Sequence, residues 1–287
     1  SGSAYTPELF EGVFLRNETL KISEITLVDI PEGEKEARII YELGKRMIKK
    51  AKVDCQLHFT LDRQQALKNA DFVISQIRVG GWQARGFGER LGNSLDLVGQ
   101  ETTGVGGFAS AMYTIPEAIA IAKDMENICP EAWLINFTNP SGVVTEAILK
   151  HTNIKCIGLC NVPVNMHSDI AKVLNKNYDQ VHCTFLGLNH LSFVTKVLDD
   201  TGADVTKEVV DKISSNATLM KNIPKVDNVG DLIKTIGIVP SPYLQYYFFE
   251  LDMKKKQQKE LKEDNKTRAD VVHEIDQSLF EEYSRQD

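Results

Sequence analysis

Through its first two-thirds the chain alternates short apolar runs with stretches of helical spacing, and few architectures accept that order. Helical spacing from about Pro7 to Arg16 leads to a strand-like run ending at Asp29. A charged helix is expected from Glu34 to Lys52, then a strand over residues 56–60, a helix from Asp62 to Asn69 and a strand from Phe72 to Gln76. A glycine-rich loop is expected from Val79 to about Gly107, then a helix from Thr114 to about Met125, a strand from Ala132 to Asn136, a helix from Ser141 to Lys150 and a strand from Lys155 to Leu159. Strands this short and apolar suit a parallel sheet buried on both faces. The alternation predicts a doubly wound α/β sheet. Ligands of such sheets sit at the carboxyl ends of the strands. The segments that matter most are then Asp29, 76–81, 136–142 and Cys160 with Asn161. From about Val181 the pattern changes to strands near 183–186 and 191–197, the start of an α+β region. The stretch from Leu251 to Asp287 is strongly charged and reads as solvated helix, with Lys254, Lys255 and Lys256 an exposed face.

Charge and cysteine usage narrow the function. A formal charge of −7 lacks the basic excess of a general nucleic-acid binder. Five dispersed cysteines, an odd number, do not read as a secreted disulfide framework. No run of about 18 apolar residues suggests a membrane span, and the first residues have neither the basic start nor the apolar stretch of a signal peptide. A cytoplasmic protein is expected.

Several strand-end residues carry chemistry. Asp29 is placed as an acid that binds ribose hydroxyls, or equally as a turn residue. Cys160 and His190 each end an apolar run; a thiolate and an imidazole make a ligand pair for a divalent transition metal. Taken singly, each is more commonly a buried structural residue. The segment 136–142, from Asn136 through Asn139 to Gly142, joins strand to helix with amides able to face a ligand, although a plain turn uses the same residues. Arg78 and Arg85 flank a Gly-Gly-Trp and suit a phosphate clamp or an ordinary surface. Tyr243, Tyr246 and Tyr247 fall within five residues; a tyrosine of lowered pKa near a metal can act as a base, and an aromatic core helix is the plainer reading.

Taken together and in order, the motifs are far more specific. Tyr5-Thr6-Pro7-Glu8, the segment 78–85, Gly99-Gln100-Glu101-Thr102-Thr103-Gly104, the segment 136–142, Gly158-Leu159-Cys160-Asn161-Val162-Pro163, Gly187-Leu188-Asn189-His190 and Pro242-Tyr243-Leu244 run through nearly the whole chain. With them the chain resembles the family 4 glycoside hydrolases, in the 6-phospho-β-glucosidase branch. Asn161 after the cysteine marks the branch: phospho-α-glucosidases typically carry Asp there, and enzymes of unphosphorylated α-glycosides carry His.

The resemblance implies a Rossmann-like NAD-binding domain over 1–165 and part of an α+β catalytic domain over 166–287. It implies NAD, a divalent metal with manganese(II) expected, a phosphorylated disaccharide or β-glucoside as substrate, and a homodimer or homotetramer. NAD would oxidise carbon 3 of the sugar, which acidifies carbon 2. Tyr243 would take that proton, the aglycone would leave, water would add, and the hydride would return, a recognised exception to the two-carboxylate scheme. Cys160 and His190 would hold the metal. Gly2, Ser3, Asp29 and Asn136 would face NAD, and Arg85, Asn139, Asn161 and Arg268 the substrate. Family members begin with a strand running into Gly-Gly-Gly-Ser and continue beyond the aromatic motif, so a first strand and a C-terminal portion are expected outside this chain. The rivals are a 2-hydroxy acid dehydrogenase of the lactate/malate type, which needs no metal pair, and a non-catalytic dinucleotide-binding module.

Overall fold

A computed structural model describes residues 2–216 and 228–285. Ser1 and the last two residues of the expected C-terminal helix lie outside the described residues. The chain opens with α1 (Thr6–Leu15) and the single turn α2 (Asn17–Leu20). Then come β1 (Glu24–Val28), α3 (Glu34–Ala51), β2 (Gln56–Thr60), the short α4 (Arg63–Ala66) and β3 (Phe72–Ser75). Two helices follow, α5 (Gly81–Ser94) and α6 (Gly104–Ile128), before β4 (Trp133–Asn136), α7 (Ser141–His151), β5 (Lys155–Gly158) and α8 (Asn161–Val173). The second part holds β6 (Val181–Leu188), β7 (Leu191–Asp199), α9 (Thr206–Asn216), α10 (Val229–Ile236) and β8 (Val239–Pro240). It ends with α11 (Gln245–Phe248), α12 (Glu250–Asp264) and α13 (Arg268–Tyr283).

Every strand before Val181 that pairs does so in parallel, as a βαβ order demands. The parallel strands form two groups, β1 beside β2 and β3–β4–β5, with Phe72 opposite Trp133 and Trp133 opposite Lys155. The α+β part is built on the antiparallel hairpin β6–β7, bulged between Thr184 and Phe185, with β8 on its edge. The fold is thus α/β followed by α+β, with a core in each part.

The expected glycine-rich loop is mostly helix. α5 and α6 begin at Gly81 and Gly104 and pack closely. A side chain at Gly106 would sit 2.2 Å from the Gln100 carbonyl oxygen and 3.1 Å from that of Gly88. The glycines are there because two backbones approach one another, which looks the same in sequence as a flexible loop. α6 is long and apolar enough to cross a membrane by length and composition alone. Its Ala118, Ala122 and Met125 instead sit in the core cluster with Leu134 and Val144.

The charged C-terminal stretch is also more than a solvated helix. On α12, Lys254 pairs with Asp96 at 2.8 Å, so only part of the lysine run forms an exposed face. α13 is fastened at both ends. A capping box of Thr267 and Asp270 starts it. At its far end the Tyr283 hydroxyl donates to the Ala4 carbonyl at 3.1 Å, Arg46 donates to the Tyr283 carbonyl at 2.6 Å, and Phe280 packs on the Phe10–Ile40 cluster.

Helix α3 begins with Glu34 and Glu36 and ends with Lys49 and Lys50, which complements the helix dipole. It buries Ala37, Ile40 and Gly44 against α1 and β2. A Cβ at Gly44 would stand 2.6 Å from Phe10 and 2.7 Å from Leu57. Gly44→Val is expected to cost about 1–3 kcal/mol through overpacking, read as a fall in the thermal midpoint.

Candidate active site

The carboxyl ends of β1, β3, β4 and β5 and the turn of the β6–β7 hairpin supply the polar groups. Cys160 follows β5 and is the N-cap of α8, where the helix dipole favours negative charge. His190 lies in the hairpin turn at φ 60 and is 4% exposed. The Cys160 Sγ and His190 Nε2 face each other at 3.6 Å. Two ligands about 2.3 and 2.1 Å from one ion keep nearly that separation at a tetrahedral angle. The pair therefore fits a divalent cation, with positions left for water or substrate oxygens. Among the described residues no third Cys, His, Asp or Glu completes a cluster with them.

Tyr243 sits in a 3-10 turn over 242–244, entered through Ser241, whose hydroxyl accepts from the Tyr243 N–H. Its ring stacks on His190 with centroids 3.7 Å apart and planes within 7°. Burial pushes the Tyr243 phenol above its ordinary value, reinforced by Tyr246, Cys160 and Glu101, while Arg85 opposes the shift. Burial likewise pushes Tyr246 up to about 12.

Burial pushes His190 down to about 4, with Glu101 pulling the other way. A histidine that is neutral when folded but protonated when unfolded makes stability fall as pH drops, here between about 6.5 and 4. Over that window the metal-free chain is expected to lose up to ~3 kcal/mol from this group. Urea midpoints at pH 7 and pH 4.5, with His190→Gln flattening the difference, check this.

Within electrostatic reach of Tyr243 lies a linked set of charges. Arg85 Nε donates to Glu89 at 2.9 Å, and Arg85 also pairs with Glu101 at 3.2 Å. Glu101 in turn binds Arg78. The Arg78 and Arg85 guanidinium groups stand 4.1 and 5.5 Å from the Trp82 ring centre. Burial lowers the Arg85 pKa, but Glu101 and Glu89 outweigh it and raise the net value, so the guanidinium stays charged. Glu89 is 2% exposed, and its second oxygen accepts the Ala269 N–H at 2.8 Å at the start of α13. It thereby places half-buried Arg268, the residue before Ala269.

At the carboxyl end of β1, Asp29 accepts the Gly2 N–H at 2.6 Å. A Cβ at Gly33 would lie 2.2 Å from its carboxylate. An acid at a strand end lined by glycines fits the ribose of a dinucleotide. Ser3 is half-buried nearby, its hydroxyl accepting the Tyr5 N–H. Asn136 is the last residue of β4. It is 0% exposed; its side-chain oxygen accepts the Thr138 N–H, and its side-chain nitrogen donates to the Thr145 hydroxyl. In this conformation it builds the corner that carries Asn139. Asn139 is half-buried before a cis proline, and Asn161 is exposed at the start of α8.

Sequence reasoning named neither Glu89 nor Glu101 as a site residue. Glu101 lies inside a quoted motif, but only packing shows that it bridges two arginines.

The sequence model of the family 4 glycosyl hydrolases matches residues 1–176, and that of the family 4 glycosyl hydrolase C-terminal domain matches residues 185–287. The chain belongs to glycosyl hydrolase family 4. This family 4 chain is 45% identical over 98% of its length to a probable 6-phospho-beta-glucosidase of Bacillus subtilis (strain 168), and 42% identical over 98% to the 6-phospho-beta-glucosidase of Escherichia coli (strain K12). It spans 64% and 63% of those two relatives. The crystal structure of the 6-phospho-beta glucosidase from Thermotoga maritima, with manganese, NAD+ and glucose-6-phosphate, superposes with a TM-score of 0.87. That match is 33% identical and covers 99% of this chain and 65% of the other.

Proposed function

We propose that this family 4 chain carries the activity of an NAD- and metal-dependent 6-phospho-β-glucosidase. It would convert 6-phospho-β-glucosides, such as cellobiose 6-phosphate, to glucose 6-phosphate and an aglycone. The observation that carries the reading is the stack of Tyr243 on His190, whose Nε2 faces Cys160. Identity to 6-phospho-β-glucosidases over nearly the whole chain supports it. The proposed division places the NAD-binding domain at 1–165 and the catalytic part at 166–287.

Bound NAD and a divalent cation, with manganese(II) expected, would supply a reversible hydride acceptor and a Lewis acid. Cys160 and His190 would hold the cation, and Gly2, Ser3 and Asp29 would face the nucleotide. Arg85, Asn139, Asn161 and Arg268 would grip the phosphorylated sugar, with guanidinium groups matched to phosphate. Glu101 and Glu89 hold Arg85 in a fixed direction before substrate arrives. A proton on carbon is hardly acidic until a neighbouring carbonyl can delocalise the charge. Tyr243 would therefore take the carbon 2 proton only after carbon 3 has become a ketone, and the aglycone would leave from carbon 1. Water addition and return of the hydride make the net reaction a hydrolysis.

A cytoplasmic setting belongs to the same reading, supported by five cysteines that form no disulfide. A homodimer or homotetramer is expected by light scattering. The test of function is aryl release from p-nitrophenyl β-glucoside 6-phosphate with NAD, manganese(II) and reductant. Release from this substrate alone is expected, and not from the α-anomer or the unphosphorylated sugar. Release from none of them, also from a chain extended to the length of those relatives, sinks the proposal.

A further inference from the structure

The loop before α6 is folded around one atom. The Gln100 side-chain Oε1 lies 2.7 Å from the backbone nitrogens of both Thr102 and Thr103. It also lies 2.9 Å from the Thr102 hydroxyl and 3.0 Å from the Thr103 hydroxyl. Two backbone N–H groups can only donate, so the atom they share is the amide oxygen and not the nitrogen. An amide oxygen can only accept, so the Thr102 hydroxyl bonded to it is the donor. A hydroxyl has one hydrogen. With that hydrogen directed at Gln100, the Thr102 oxygen must accept from its other neighbour, His190 Nδ1, at 2.7 Å. Nδ1 then carries the ring proton, and Nε2 presents a bare lone pair toward Cys160.

We infer that Thr102, oriented by Gln100, is a positioning residue that selects the His190 tautomer able to bind a cation through Nε2. The inference rests on reading Cys160 and His190 as the cation pair. Ligand histidines are held in this way by the acceptor on their second nitrogen, and loss of that partner costs about 10- to 100-fold in metal affinity. Here the acceptor is a hydroxyl from another element rather than a carboxylate. A side chain of the loop at 100–103 thus sets the chemistry of a hairpin residue 88 positions away.

Two measurements test it, neither depending on turnover. Nitrogen-15 NMR of the imidazoles in the metal-free chain, with His190 assigned by substitution, is expected to show the Nδ1–H form. A predominance of the Nε2–H form overturns the inference without any variant at residue 102. Titration with manganese(II), followed by loss of the free-ion electron paramagnetic resonance signal, is then run on Thr102→Val and Thr102→Ser. Valine is expected to weaken binding about 10- to 100-fold and serine to stay within about threefold of the unaltered chain. Equal affinity of the valine variant overturns the positioning role while leaving the cation reading intact. No manganese binding by the unaltered chain overturns the cation reading, and this role with it.

Discussion

Tyr243→Phe is expected to slow aryl release by about 10²- to 10⁴-fold, the usual range for losing a positioned acid or base. The argument is geometric. Phenylalanine keeps the ring, so the 3.7 Å stack on His190 and the turn that begins at Ser241 persist. Only the hydroxyl is lost. Binding of glucose 6-phosphate and of manganese(II) should therefore stay close to the unaltered values, and the loss should fall on kcat rather than KM. Incorporation of solvent deuterium at carbon 2 gives a second readout, expected to vanish with the hydroxyl. A variant that still releases the aryl group at a similar rate would assign the proton transfer to another residue.

Glu89→Ala is expected to cost about 3–5 kcal/mol, the size of effect seen when one partner of a buried pair is removed. Two groups lose their acceptor at once: the Arg85 guanidinium and the Ala269 N–H at the first turn of α13. Glu101 remains on Arg85, which keeps the loss nearer the lower figure. Glu89→Gln retains an acceptor but not the charge, and about 1–2 kcal/mol is expected. Urea midpoints measure both. Because Glu89 also sets Arg85 and Arg268, both variants should weaken glucose 6-phosphate binding under conditions where they remain folded. Alanine within about 1 kcal/mol of the unaltered chain would mean that the carboxylate is not sealed in as described.

What the sequence makes legible is whatever repeats along it. Strands over 56–60 and 72–75 declare themselves by short apolar runs, and the βαβ order makes them parallel. Cys160 and His190 stand out because each ends such a run. What it conceals depends on contacts between distant segments. Gly88 and Gly106 read as loop until two helices are seen to meet through them. Glu89 looks like a surface acid on a polar helix, yet its partner at residue 269 is 180 positions away. Asn136 stands at a strand end, and only the structure shows its side chain bonded to Thr138 and Thr145. The tyrosine cluster shows the converse: spacing alone favours a core helix, the ordered motifs single out Tyr243 as a base, and the structure adds its stack on His190.

Helix α13 has a consequence of its own. Its 16 residues make a rod roughly 24 Å long. Glu89 grips one end, and Ala4 and Arg46 hold the other, two residues from Gly2 and its contact with Asp29. A stiff element pinned at two distant points cannot fray at one without straining the other. Its amide protons should then exchange as a cooperative block rather than from the tip inward. Occupancy of either end, by sugar phosphate or by dinucleotide, should slow exchange along the whole helix, so that each ligand leaves its mark at the far site without a change of shape.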